Sequence, residues 1–152
     1  MDDFKRTAPG IDATVLLCDS AQAVGGKLFI LGGGWSQVWA AQPITMALAI
    51  KLVVPWDLAN QRLSLAVRLL TEDGQPVPAP TGSNVEVSWQ FEVGRPPGLP
   101  PGTGLDATMA IPIQGLPLGP GGYEWRLEVD GEVLRTVPFR VLSGPPPMPM
   151  QQ

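Results

Sequence analysis

The chain has 152 residues, enough for one well-filled core. Hydrophobic residues make up 44% of it, 18 glycines and 18 prolines punctuate it, and histidine is absent. That composition excludes a disordered chain, the commonest general base, the Ser-His and Cys-His nucleophile pairs and most zinc sites. Ten basic and fourteen acidic residues leave a net charge of −4 with the cations scattered, which excludes the basic footprint of a nucleic-acid binder.

No segment sustains a helical period, so the elements are read as strands joined by turns. Residues 1–11 form an N-terminal extension that starts acidic and has no apolar leader, and the expected location is cytoplasmic. Thr14 to Cys18 is a short apolar strand with no proline and no charge before Asp19. The lone Cys18 follows Val15-Leu16-Leu17 and is expected to be a buried thiol. Gly25-Gly26 makes a turn into a second short strand, Lys27 to Leu31. Gly25-Gly26-Lys27-Leu28 fails as a phosphate loop, because no Ser or Thr follows the lysine and a strand follows instead of a helix. Gly32-Gly33-Gly34 points to a bulge or a close backbone approach. Trp35 to Trp39 reads as a third strand. Its two tryptophans share a face, which is either an exposed aromatic platform or a second core layer.

Ile44 to Val54 carries Met46, Leu48, Ile50 and Leu52 on one face and Ala47, Ala49, Lys51 and Val53 on the other, the pattern of a central strand. It is too short for a membrane helix. Pro55-Trp56-Asp57 opens a helical turn capped by Asp57. Leu63, Leu65, Val67 and Leu69 form one strand face. After Asp73-Gly74, a hairpin dipeptide, Val85 to Val93 alternates cleanly, with Trp89 and Phe91 inward. Gly94 to Gly104, with four prolines and four glycines, is an extended, partly stiff loop. Leu105 to Ile113 contains Pro112, and Val133 to Val141 contains Pro138, so both belong on sheet edges or at bulges. Between them, the Pro-Gly corner before Tyr123 resembles the tyrosine corner of immunoglobulin-like sandwiches. Tyr123 to Val129 and the Asp130-Gly131 hairpin follow it. Residues 143–152 are a proline-rich solvated tail.

The expected fold is therefore all-β. It is an immunoglobulin-like antiparallel sandwich of about seven to nine strands over residues 12–142, with at most one or two short helical turns. Its core is expected to hold Leu48, Ile50, Leu65, Val67, Trp89, Phe91, Met109, Ile111, Trp125, Leu127 and Phe139. The acidic residues Glu72, Asp73, Asp130 and Glu132 sit on hairpins for turn reasons, so no metal, cofactor or catalytic residue is assigned.

Gly26 to Trp35 (GKLFILGGGW), Val54 to Asn60 (VPWDLAN), Phe91 to Gly102 (FEVGRPPGLPPG) and Tyr123 to Gly131 together resemble a family of small uncharacterised bacterial proteins, frequent in actinobacteria. The resemblance spans about residues 12 to 141. It implies a β-sandwich in a bacterial cytosol and supplies no activity to carry over.

The expected role is a non-enzymatic interaction or assembly module that binds a protein partner or itself, with no nucleic acid and no membrane. The expected surface is a bare N-terminal strand edge with Val15 and Leu16, together with Trp35, Trp39, and Arg95 and Leu99 of the loop. A carbohydrate or small-ligand binder using exposed tryptophans is the alternative, and a carboxylate-based hydrolase is a more distant one.

Overall fold

The two-residue periodicity becomes paired strands in two facing sheets. The computed structural model describes residues 10–39 and 43–144. The strands among them are β1 (Asp12–Val24), β2 (Lys27–Gly33), β3 (Gln37–Trp39), β4 (Ile44–Val54), β5 (Leu63–Thr71), β6 (Glu86–Phe91), β7 (Leu105–Leu116), β8 (Gly121–Val129) and β9 (Glu132–Leu142). Apart from Gly10, Ile11, Ser143 and Gly144, the extension 1–11 and the tail 143–152 lie outside the described residues. Ile11 is buried in the core.

One sheet has the order β2-β1-β4-β7, the other β3-β9-β8-β5-β6. Leu17, Met46, Leu48, Ile50 and Leu52 of the first meet Leu65, Val67, Leu69, Trp125 and Leu127 of the second, all buried. The Trp125 indole, the largest of them, donates Nε1–H to the Met46 sulfur at 3.4 Å, so its one polar atom keeps a partner. The hairpins β5–β6 and β8–β9 stay within a sheet, while the connections β4 to β5, β6 to β7 and β7 to β8 cross between sheets. The Tyr123 hydroxyl, near the start of β8, donates to the Gly119 carbonyl at 2.9 Å and closes the tyrosine corner. Together these features make the fold immunoglobulin-like.

Several expectations need correction. β3 has three residues, leaves Trp35 outside it, and runs parallel to β9, so the sandwich is not wholly antiparallel. Trp89, Phe91 and Met109 are half-buried, because β6 and β7 are outermost strands on the same side of the sandwich. The helical turn covers Trp56–Leu58 and has no side-chain cap; Pro55 precedes it, so Asp57 lies within the turn. The loop after β6 is folded, not extended. Leu99 N–H donates to the Pro96 carbonyl and Thr103 N–H to the Pro100 carbonyl. Gly98 and Gly102 have φ of 93° and 89°. These are two successive Pro-Gly turns of type II, in which glycine supplies the positive φ.

Thr14 to Cys18 is the first part of β1, which is registered with β4 from Asp12 to Cys18. β2 pairs β1 only from Cys18 to Val24 and forms the sheet edge there, so it does not reach the flank of β1 at Thr14 to Leu16.

Candidate functional site

A strand at a sheet edge offers unpaired N–H and C=O groups, and proteins blunt such edges with proline, charge or short length. Three of the outer strands here are blunted. β7 carries Pro112, and its Asp106 pairs with Lys51 of β4 at 3.7 Å. β6 turns Glu86, Ser88 and Gln90 to solvent, with Glu86 held by Arg68 at 2.9 Å. β3 is three residues long, and where it no longer covers β9 the exposed flank carries Pro138 and Arg135.

β2 has no such device. Its sequence is KLFILGG, with Lys27 its only charge and no proline. It is held to β1 by the turn at Gly25 and Gly26, whose φ values of 60° and 76° mark a type I′ hairpin. Val24 and Lys27 flank that two-residue turn, so they exchange both backbone hydrogen bonds. By alternation, so do the pairs Gln22–Phe29 and Ser20–Leu31. The N–H and C=O of Leu28 and Ile30 therefore point away from β1, toward a side on which no described strand pairs with β2.

The side chains divide in the same way. The register of β1 with β4 ends at Cys18–Ala47, and the hairpin beyond it folds over the outer face of β4. Ala21 and Leu28 pack down onto Cys18, Ala47 and Ala49, which are buried although they face away from the main core. Small residues at 47 and 49 let the hairpin lie close. The Cys18 thiol donates to the Ala47 carbonyl at 3.4 Å. Burial pushes this thiol above its ordinary value of 9.0; the Asp19 charge adds to the rise, and a backbone hydrogen bond at Ser20 opposes it. On the hairpin's outer face Val24, Phe29 and Leu31 are 56%, 57% and 72% exposed. At Gly32 (φ 63°) the Asp19 carboxylate occupies the space a side chain would fill.

The residues expected to form the surface do not come together. Val15 is half-buried against the core, while Leu16 is exposed on the outer side of β1. Trp35 and Trp39 are half-buried, so they form no exposed aromatic platform. The Trp35 Nε1 is enclosed. Arg95 and Leu99 lie on the β6–β7 side, across the second sheet from β3. The Arg95 guanidinium stacks on the Trp56 ring at 4.6 Å and donates to the Trp56 carbonyl at 2.9 Å. Arg95 thus fastens the loop, and with Trp89, Phe91, Asp106 and Met109 it borders an open groove of about 620 Å³. Glu92 also lines that groove. Asp106, with its side chain 66% exposed and paired with Lys51, is a solvated surface carboxylate. Among the described residues, no three Asp, Glu or Cys side chains converge on a metal-sized site.

Val24, Phe29, Ile30 and Leu31 were not singled out from sequence. The signal was present: an apolar run on both faces, between a glycine pair and a run of three glycines, with one charge at its end.

The model of a family of unknown function, DUF6941, matches residues 13–142. No curated protein matches the chain. Among solved structures the chain is similar to an immunoglobulin-like protein from Pseudomonas aeruginosa, at 15% identity and a TM-score of 0.42, over 90% of this chain and 100% of that one.

Proposed function

The chain belongs to a family of unknown function, DUF6941, and from that premise we propose that it is a non-enzymatic interaction module that docks a protein strand on the edge of β2. One observation carries this reading: β2 is an outer strand with apolar, exposed side chains and outward backbone groups, with no proline and with its one charge, Lys27, confined to its first residue. Strand addition uses both features. The backbone groups of Leu28 and Ile30 supply the hydrogen bonds, and the flanking side chains supply apolar area and selectivity. The chemistry available elsewhere supports a binding role over a catalytic one. The sequence has no histidine, and its one thiol is buried and held protonated.

The test is capture of partners from the native host by immobilised wild type and by Ile30→Pro. Proline at 30 removes an N–H that β1 does not use. Captured protein should fall at least tenfold with Ile30→Pro while the far-ultraviolet circular dichroism and melting temperature stay close to wild type. Equal capture by both proteins would place binding elsewhere.

A further inference from the structure

We propose that the strand received by the β2 edge is that of a second copy of this chain, antiparallel and centred on Ile30, so that two hairpins join into one four-stranded ribbon. The inference rests on the reading of β2 as the docking edge and adds the identity and register of the partner.

The argument begins with symmetry. A twofold contact needs a patch that complements itself. Antiparallel pairing about Ile30 sets Ile30 against Ile30, Leu28 against Gly32 and Phe29 against Leu31. Ile30 has its backbone groups free, so the central pair exchanges two hydrogen bonds across the axis. Phe29 and Leu31 share the outer face of the hairpin, and the twofold axis creates their cross-strand pair twice, an aromatic against a branched aliphatic.

Charge selects the same register. The chain is net negative, so two copies repel over most of their surfaces. Residues 20–56 contain no carboxylate at all. Within the hairpin strands from residue 20 onward the only charge is Lys27, and the antiparallel arrangement sends the two lysines to opposite ends. There each Lys27 meets Gly33 of the second copy, next to the Gly32 against which the second copy's Asp19 carboxylate is lodged. Two glycines leave the lysine stem room to approach that carboxylate. A shift of register moves each lysine off the glycines and breaks the Phe29–Leu31 pairing.

Light scattering over a dilution series from about 1 mM to about 1 μM tests the assembly. Wild type should approach twice the 16.1 kDa chain mass at the concentrated end. Ile30→Pro and Leu31→Lys should each remain at the monomer mass; the second leaves the backbone unchanged and guards against a folding defect in the first. Register is read by mixing Phe29→Cys chains with Leu31→Cys chains under mild oxidation. A covalent heterodimer should form in the mixture, with little homodimer from either variant alone, because only residues directly opposite have the short separation a disulfide requires. A wild type that stays monomeric throughout overturns the proposal. So does a dimer that neither edge variant disturbs, or one in which Phe29→Cys links to itself. If wild type is monomeric while Ile30→Pro still abolishes capture of a different protein, the second copy is ruled out and the docking edge stands. If neither assembly nor capture depends on position 30 or 31, both readings fail.

Discussion

Cys18 and Tyr123 show how far single residues are legible before the fold is known. Tyr123 announces itself, because the Pro-Gly corner before it and the strand after it are local, and the bond to Gly119 spans four residues. The burial of Cys18 follows from the apolar run before it, but the identity of its cover does not. Ala47 lies 29 residues away and the hairpin must fold back to close the site. Because burial holds the native thiol protonated, its contribution to stability is complete below 9.0, the ordinary thiol value. Above that value the unfolded chain ionises first and stability falls as pH rises toward the folded value. The difference in unfolding free energy between wild type and Cys18→Ala should therefore be constant from pH 6 to about pH 8.5 and shrink above about pH 9. Denaturant titrations of both proteins across that range check this. A difference that does not change with pH would contradict a buried, protonated thiol.

At the scale of the element, alternation located the strands well, because half-buried strands alternate by their own geometry. It failed where alternation meets a second layer. In β4 both faces are apolar, and the pattern marks the strand as central without saying what lies on its alanine face. The β1–β2 hairpin lies there, resting on Ala47 and Ala49 through Ala21 and Leu28. Enlarging Ala49 should therefore push the hairpin away without disturbing the main core. Ala49→Leu is expected to lower stability by about 1–3 kcal/mol. It should also raise the reactivity of Cys18 toward a thiol reagent, since the hairpin shields both positions. Thiol kinetics on the folded variant distinguish this from simple surface burial: unchanged protection would mean that the hairpin does not cover residue 49. The loop after β6 teaches a related lesson. Its prolines read as stiffness, and stiff it is. The Pro-Gly pairs convert that stiffness into two tight turns, and Arg95 anchors the chain to Trp56.

Over the whole molecule, the two-sheet architecture was legible from strand patterning, and the prolines correctly marked exposed flanks at Pro112 and Pro138. The order of strands within each sheet was not legible, because pairing partners depend on which connections cross between sheets. Patterning placed a bare edge at Val15 and Leu16, where β2 does not reach, and gave no sign that β2 forms another beside Cys18 to Val24. Three of the outermost strands carry proline, paired charge or minimal length, whereas β2 is seven residues long without proline and has its one charge, Lys27, at its first residue. The same hairpin that covers Ala47 and Ala49 turns Val24, Phe29 and Leu31 outward, so one short element both closes a small core and leaves apolar side chains exposed beside an unpaired strand edge. The most direct test is residue-resolved amide hydrogen exchange along β2 in concentrated wild type and in Leu31→Lys. The Phe29 amide, bonded to β1, should be protected in both. The Leu28 and Ile30 amides should be protected in wild type and exchange freely in Leu31→Lys. Equal exchange of Leu28 and Ile30 in the two proteins would contradict strand pairing at this edge.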